Sequence, residues 1–187
     1  MALMRKAGLV RLSFGIESGV PEILKIIQKE VSLEDVKKGY KIAKKLGIET
    51  RGSIIIGLPG DTRKTIKQTF KFLRNLKELD HPYINVAMPY PGTRLREMAE
   101  NGEHGLKLID KSYTALRRYD NAVMDVNDLT AEDLVELQNK GLLYNYLTPR
   151  RIWYNLKRAG LKAAIKNGFA FVKSMFLTRN KFKRKKQ

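Results

Sequence analysis

The sequence predicts an α/β fold built from repeated strand–helix units around a parallel sheet. Three short blocks carry this prediction: Gly-Ile-Glu-Ser-Gly at residues 15–19, Gly-Leu-Pro-Gly-Asp at 57–61 and Met-Pro-Tyr-Pro-Gly-Thr at 88–93. Each block follows an apolar run and precedes a helical pattern, which is the order of elements in repeated βα units. Because the loops after the carboxyl ends of parallel strands build the ligand site in such folds, the blocks predict one shared ligand mouth.

The first unit opens with the end of a helix at residues 1–7 and continues into a strand at residues 9–16. A short helix is predicted over residues 21–27, because Pro21 suits a first helical turn. A longer helix follows Ser32, which has the side chain of an N-cap and is followed three residues later by an acidic residue.

The second and third units repeat this order. Residues 49–56 are predicted to form a strand that is too apolar at its end to face water on either side, as in parallel sheets covered by helices. The next helix is capped by Thr62 or Asp61. A third strand is predicted over residues 83–88 and a further helix over residues 93–100.

The pattern changes after Gly105. Residues 107–126 have no clear assignment, a helix is predicted after Thr130, and helices broken near Pro149 and Gly160 continue to residue 176. We therefore expect three parts: residues 1–105 as the βα units, 106–178 as a mainly helical extension, and 179–187 as a basic disordered tail.

The charge of the chain is unusual for a globular protein. Of 187 residues, 37 are Lys or Arg and 19 are Asp or Glu, which gives a formal net charge of +18. No acidic residue follows Glu136, whereas basic residues continue to Lys186. A basic tail of this kind indicates a polyanionic partner or a solvated face that keeps the protein soluble.

The helical spacing in the tail favours a membrane surface over nucleic acid. Ile165, Phe169, Val172 and Phe176 fall on one helical face, with lysines elsewhere, which fits an interfacial amphipathic helix better than a base-stacking platform. Packing of these residues against the rest of the protein is the alternative. No apolar run approaches the length of a membrane span, so the expected location is cytoplasmic, with peripheral contact to an anionic membrane surface.

The chain contains no cysteine, which excludes disulfides, thiolate metal sites and a cysteine nucleophile from its own residues. His81 and His104 have no metal-ligand spacing, so no metal site and no catalytic residue is predicted. Taken alone, the turn at residues 57–61 has a purely steric explanation, since a tight strand-to-helix turn needs glycine, and its helix N-terminus is a generic anion site.

The three blocks in this order resemble the later half of the radical S-adenosylmethionine (radical SAM) barrel. The resemblance covers residues 1–102 and is greatest to the group whose members often carry an upstream cobalamin-binding domain. It implies a partial barrel of six βα units, of which this chain holds the fourth, fifth and sixth. The remainder matches a variable C-terminal extension.

The same resemblance implies S-adenosylmethionine as the cofactor, with cobalamin as an additional one in some members. It also implies a four-iron four-sulfur cluster, which the family holds on a Cys-x-x-x-Cys-x-x-Cys loop in the first half of the barrel. This chain has no residues for that cluster. The implied partner is the missing N-terminal half of the barrel, supplied by the same gene or by a separate chain.

The resemblance also assigns cofactor contacts to particular positions. Glu17 and Ser18 match the polar positions that meet the ribose hydroxyls, and Ser53 matches a second ribose-facing position. Lys29 matches a basic residue near the cofactor's carboxylate, and its alternative is an ordinary solvated lysine at a helix end. The main chain of Ile55 matches the adenine contact, with Gly57 allowing close approach, and the alternative for Gly57 is a steric turn. Val86 matches a position near the adenine ring, and its alternative is core packing.

Three functions remain open at this stage. The chain is the C-terminal fragment of a radical SAM enzyme, inactive without the missing half; or it is a membrane- or nucleic-acid-binding module on a barrel scaffold; or it is the non-functional remnant of a truncated gene. A different barrel enzyme that binds phosphate explains the Glu17-Ser18 pair less well.

Overall fold

A computed structural model describes residues 1–116, 121–154, 156–157 and 160. The chain divides into two compact units, Met1–Asn145 and Tyr146–Gln187. The second unit is helical over its described residues 149–154. Among the described residues, no helix is both long and apolar enough to cross a bilayer.

The first unit is an α/β structure, as the sequence predicts. Its helices and strands occur in the order α1 (Ala2–Lys6), β1 (Arg11–Glu17), α2 (Pro21–Ile26), α3 (Leu33–Lys45), β2 (Glu49–Ile56), α4 (Arg63–Asn75), β3 (His81–Val86), α5 (Arg94–Asn101), β4 (Leu106–Leu108), β5 (Met124–Val126) and α6 (Ala131–Tyr146). Strands β1, β2 and β3 form a parallel sheet in that order. Where the sequence predicts a boundary of α1 to α5 or of β1 to β3, it differs from the observed one by two residues or fewer.

One face of the sheet is buried beneath the helices. Along β2, every second residue is buried, beginning with Thr50 and ending with Ile56. Phe14 of β1 packs against Tyr40 of α3 with their rings 4.6 Å apart. The Tyr40 hydroxyl then donates to the main-chain oxygen of Arg51 at 2.9 Å, and burial raises the pKa of this tyrosine. The tyrosine passes over Gly52, where an added Cβ would lie only 2.5 Å from its hydroxyl oxygen.

The region that the sequence left unassigned contains a small hairpin. Strands β4 and β5 pair in antiparallel fashion, with Leu106 opposite Val126. The Gly105 oxygen accepts a hydrogen bond from the Asn127 N–H at 2.7 Å, which closes the end of the hairpin. Residues that flank the hairpin contact the loop after β2. The Gly60 N–H donates to the His104 main-chain oxygen at 3.0 Å, and the Asn127 side-chain amide donates to the Asp61 main-chain oxygen at 2.7 Å.

Helix α6 occupies a place in the helix layer beside α4. Arg63 at the start of α4 pairs with Asp133 near the start of α6 at 2.9 Å, and Arg74 at the end of α4 lies over the Tyr144 ring at 4.3 Å. The two helices therefore run in the same direction. Gln138 of α6 also donates to the Ile84 oxygen of β3 at 2.8 Å, so that α6 is bonded to the sheet as well as to α4.

Candidate functional site

The sheet has an open face, opposite the helix-covered one. Side chains alternate between the two faces of a strand, so the residues of β1, β2 and β3 that alternate with helix-facing ones such as Phe14 and Ile54 share this second face. The pairing register places Gly15 beside Ser53, and Ser53 beside Tyr83. The residues of the open face are Arg11, Ser13, Gly15, Glu17, Glu49, Arg51, Ser53, Ile55, His81, Tyr83 and Asn85.

Glu17 has an unusual backbone at the end of β1. Its φ of +63° lies in the left-handed region, which non-glycine residues adopt at a cost of about 1–3 kcal/mol. The register of β1 against β2 also shifts between Gly15 and Glu17. Bulges of this kind redirect a side chain and are frequent beside active sites.

The Glu17 carboxylate folds back over Gly15. A Cβ added at Gly15 would overlap the Glu17 carboxylate and would lie 3.6 Å from the Lys29 ammonium nitrogen. Glu17 and Lys29 themselves form an ion pair at 3.6 Å, with 22% and 35% of their side chains exposed. The absence of a side chain at position 15 therefore creates the space in which an acid and a base meet on the open face.

Lys29 also lines a cavity of about 470 Å³ between α2 and α3. Lys25 and Gln28 contribute to the same wall, as do the apolar Leu24 and Val31. Glu30 adds an acidic group to this lining, so the cavity beside the Glu17–Lys29 pair presents both charges to a polar group.

Ser53 and Asn85 are joined across β2 and β3. The Asn85 amide donates to the Ser53 hydroxyl at 2.9 Å, and Ile55 lies opposite Asn85 in the register. Asn85 was not singled out by the sequence, which drew attention to Val86 instead. The alternation of buried residues in β3, at 82, 84 and 86, would have placed Asn85 on the polar face.

Three of the predicted site residues lie elsewhere. Ser18 is 1% exposed and its hydroxyl lies 3.2 Å from that of Thr69 in α4, so that it joins β1 to the helix layer. Val86 is 6% exposed on the helix-covered face, as core packing requires. Gly57 has a φ of +77°, and an added Cβ would meet Leu134 of α6 at 2.8 Å, so its close neighbour within the chain is a helix. The structure thus brings together Glu17, Lys29, Ser53 and Ile55, and separates them from these three.

The turn at residues 57–61 is closed by its own side chains. Asp61 is 2% exposed and accepts from the Leu58 N–H at 3.1 Å and from the Thr65 hydroxyl at 2.7 Å. Burial raises the pKa of Asp61 to about 6, although these hydrogen bonds act in the opposite direction. Thr62, not Asp61, is the N-cap of α4 and forms a capping box with Thr65. The first turn of α4 is therefore already supplied with hydrogen-bond partners.

A second polar group occupies the amino-terminal end of the open face. Arg11 binds Glu49 through two hydrogen bonds of 2.6 and 3.2 Å, and His81 lies 3.2 Å from the same carboxylate. Arg51 lies one row further along, 5.8 Å from the centre of the Tyr83 ring, and its buried Nε has no hydrogen-bond partner within the described residues. No group of three or more potential metal ligands occurs in the part of the chain that the structure describes.

Comparisons with known proteins identify the family. The sequence model of the radical SAM superfamily matches residues 1–73. An uncharacterized methyltransferase of Pyrococcus horikoshii is 35% identical over 147 residues, which cover 79% of this chain and 31% of that protein. The anaerobic magnesium-protoporphyrin IX monomethyl ester cyclase of Rubrivivax gelatinosus is 35% identical over 75 residues, or 40% of this chain and 14% of the cyclase.

A solved structure agrees with these sequence matches. The archaeal Methanocaldococcus infernus Elp3 superposes with a TM-score of 0.50 and 30% identity, covering 55% of this chain and 24% of that one. The chain thus spans a third or less of the length of each of these three proteins. The match over residues 1–73 includes β1, β2 and the Glu17–Lys29 pair, and the chain belongs to the radical SAM superfamily.

Proposed function

We propose that this chain supplies the ribose and adenine side of an S-adenosylmethionine site, as the C-terminal half of a radical SAM barrel. The chemistry of such an enzyme is reductive cleavage of the cofactor to a deoxyadenosyl radical or transfer of a methyl group, and it belongs to the cluster and the cofactor. This chain would bind and orient the nucleoside. The Pyrococcus relative is named as a methyltransferase, which favours the second chemistry.

The observation that carries the proposal is the polar end of the open face. Glu17 and Asn85 lie at the carboxyl ends of β1 and β3, and Ser53 lies in the C-terminal half of β2 between them, close to the strand ends where folds of this class bind ligands. A carboxylate can accept hydrogen bonds from two hydroxyl groups, as the ribose of a nucleoside provides. Gly15 pairs with Ser53 in the register, and the space above it holds the Glu17 carboxylate on the same face of the sheet. The residues present therefore fit the nucleoside half of the cofactor.

The residues present do not fit the iron–sulfur cluster. Cluster irons are held by cysteine thiolates in this superfamily, and the chain contains no cysteine. The cluster ligands would have to come from another polypeptide segment, and the chain alone is expected to be inactive.

The unpaired side of the sheet supports completion by further strands. In the parallel sheet of the described residues, β1 pairs only with β2, so its other edge is free. Three apolar side chains that precede β1 in the chain are exposed: Leu3 at 79%, Met4 at 49% and Val10 at 66%. Free strand edges and exposed apolar residues are hazards for an isolated protein and are ordinarily covered. A segment that pairs with β1 would cover the free edge.

The experiment is a titration of the full chain with S-adenosylmethionine, followed residue by residue by amide chemical shifts. The proposal predicts shift changes at Glu17, Ser53 and Asn85. Glu17→Ala is expected to weaken binding by about 1–3 kcal/mol, the scale of an unpaired buried polar group. Gly15→Ala is also expected to weaken it, because the new methyl group displaces the Glu17 carboxylate while the fold tolerates the movement of a side-chain end.

The matched control is Glu22→Ala, which removes an exposed acidic residue from the first turn of α2 and should leave the titration unchanged. A parallel anaerobic reconstitution with iron and sulfide should give no iron–sulfur absorption. Shift changes confined to the helix-covered side, equal loss in Glu22→Ala, or stoichiometric iron and sulfide on the purified chain would each contradict the proposal.

A further inference from the structure

The outward face of α4 is a stripe of cationic and amide side chains, here called the α4 stripe. Its inward face carries Ile66, Phe70 and Leu73, which are buried against the sheet and α6. From Thr62 to Lys77 the sequence has six basic residues and no acidic one. The exposed residues of the α4 stripe are Lys64, Lys67, Gln68, Lys71 and Asn75.

The exposed lysines of α4 have no acidic partner on their own helix. On α3, α5 and α6, some basic residues pair with an acid three or four positions away, as in Lys37–Glu34, Arg96–Glu100 and Lys140–Glu136, although Lys41 and Lys45 of α3 form no such pair. Lys64, Lys67 and Lys71 have no ion pair or hydrogen bond among the residues that the structure describes. The two arginines of α4 reach sideways to α6 and leave the α4 stripe to the lysines.

The spacing of these lysines costs the helix stability. Lys64 and Lys67 are three residues apart, and Lys67 and Lys71 are four apart, so that like charges are neighbours on the helix surface. Such pairs destabilise a helix, and a single acidic substitution would relieve them. A bound polyanion removes the same repulsion, which gives the arrangement a physical use.

We propose that the α4 stripe binds the phosphate backbone of a nucleic acid without reading its sequence. Lysine ammonium groups and side-chain amides are typical donors to backbone phosphates. With a rise of 1.5 Å per residue, Lys64 and Lys71 are about 10 Å apart along the helix, a distance over which a nucleic-acid strand presents several phosphates. The α4 stripe has no exposed apolar side chain to insert into a membrane interface, and its apolar face is buried.

The inference is independent of the S-adenosylmethionine site. The α4 stripe lies on the helix-covered side of the sheet, whereas Glu17 and Ser53 lie on the open face. Strands that extend the sheet from β1 would leave the outward side of α4 exposed. Failure of one proposal therefore does not affect the other.

The test is binding of the full chain to a short, fluorescently labelled RNA of mixed sequence, measured by anisotropy between about 50 and 200 mM salt. Neutralising the α4 stripe with Lys64→Gln, Lys67→Gln and Lys71→Gln should weaken binding at low salt at least tenfold. It should also reduce the slope of log affinity against log salt by about 2, since each lost phosphate contact contributes about 0.7 for a single strand. The matched control makes the same charge change on α3, at Lys38, Lys41 and Lys45, and should retain most of the slope.

A single variant separates function from folding. Lys67→Glu is expected to raise the thermal unfolding midpoint, because it replaces like-charge neighbours with opposite charges, and at the same time to weaken RNA binding. Equal losses in the α3 and α4 triple variants, or no loss in either, would overturn the proposal. If the α4 triple variant lost binding to vesicles of anionic lipid but kept its RNA binding, this would also overturn the proposal, in favour of a membrane surface.

Discussion

Asp61 is the residue whose environment differs most from the one its position in the sequence indicates. It follows a glycine turn at the start of a helix, where an acidic side chain ordinarily caps the helix in contact with water. In the structure it is buried and bonded to Leu58 and Thr65, while Thr62 provides the cap. Its carboxyl group therefore holds the conformation of the turn after β2, at the end of the strand that carries Ser53.

The raised pKa of Asp61 predicts a pH-dependent contribution to stability. The pKa of Asp61 is near 6 in the folded chain and 3.8 in the unfolded one, so folding favours its protonated form. The resulting contribution to the free energy of unfolding is complete below pH 3.8 and is lost as the pH rises through about 6. The loss amounts to about 3 kcal/mol at 1.36 kcal/mol per pKa unit. Urea unfolding of the wild type and of Asp61→Asn from pH 4 to 7 should show the difference between the two unfolding free energies changing by this order. A difference that is independent of pH would mean that Asp61 ionises as readily in the folded chain as in water.

Helix α6 is the element that the strand–helix pattern assigned least well. The sequence predicts a helix after Thr130 but places it in an extension beyond the βα units. In the structure, α6 lies beside α4 with the same direction and binds β3 through Gln138. The short α5 follows β3 in the chain, yet α6 packs against the helix of the preceding unit. Close contact is possible because Gly141 faces the Phe70 ring of α4.

Two glycines in the interiors of helices provide a test of this packing. At Gly141 an added Cβ would overlap the Phe70 ring, so Gly141→Ala should lower the free energy of unfolding by about 1–3 kcal/mol through overpacking. At Gly39 in α3 the nearest atom, on the Phe14 ring, would be 3.5 Å away. Gly39→Ala should therefore raise the free energy of unfolding by about 0.5–1 kcal/mol, because alanine favours a helix. If both substitutions stabilise the protein equally in urea unfolding, α6 does not pack on Phe70.

The whole molecule carries its excess positive charge in at least two places. One is the α4 stripe, which is polar throughout its exposed length. The other is the C-terminal segment that begins near Arg150, where the described residues include Trp153 with 68% of its surface exposed. The apolar positions at 165, 169, 172 and 176, on which the membrane prediction rests, lie outside the described residues. The membrane contact of the tail therefore stays a proposal.

Phe169→Asp tests that proposal separately from the α4 stripe. If the apolar tail residues insert into a membrane interface, the wild type should bind vesicles of acidic lipid more strongly than neutral ones, and the substitution should abolish this binding. RNA binding should change little, because the lysines that contact phosphates remain. Equal retention on acidic and neutral vesicles, or no retention on either, would favour packing of the tail against protein instead. Cosedimentation with liposomes measures both.

The sequence by itself determined the local structure of the βα units, from α1 to α5. The strand–helix alternation, the Ser32 cap and the limits of β2 follow from residue types and their spacing over a few positions, and the structure confirms them. The family is also carried by short ordered blocks, and the matches to known proteins confirm it. These features depend on residues that are close together in the chain, so they can be predicted from the sequence alone.

Only the tertiary structure decided which polar residues face the same side. Strand register, the bulge before Glu17 and the approach of Lys29 bring Glu17, Lys29 and Ser53, which are 12 to 36 positions apart in the chain, onto the open face, and none of these is set by local spacing. The same holds for Ser18 and Val86, which the family resemblance assigned to the cofactor site with Glu17 and Ser53 but which pack on the helix-covered side. A side chain's direction in a sheet reverses with a shift of one residue, so its surroundings depend on pairings that only the folded chain establishes.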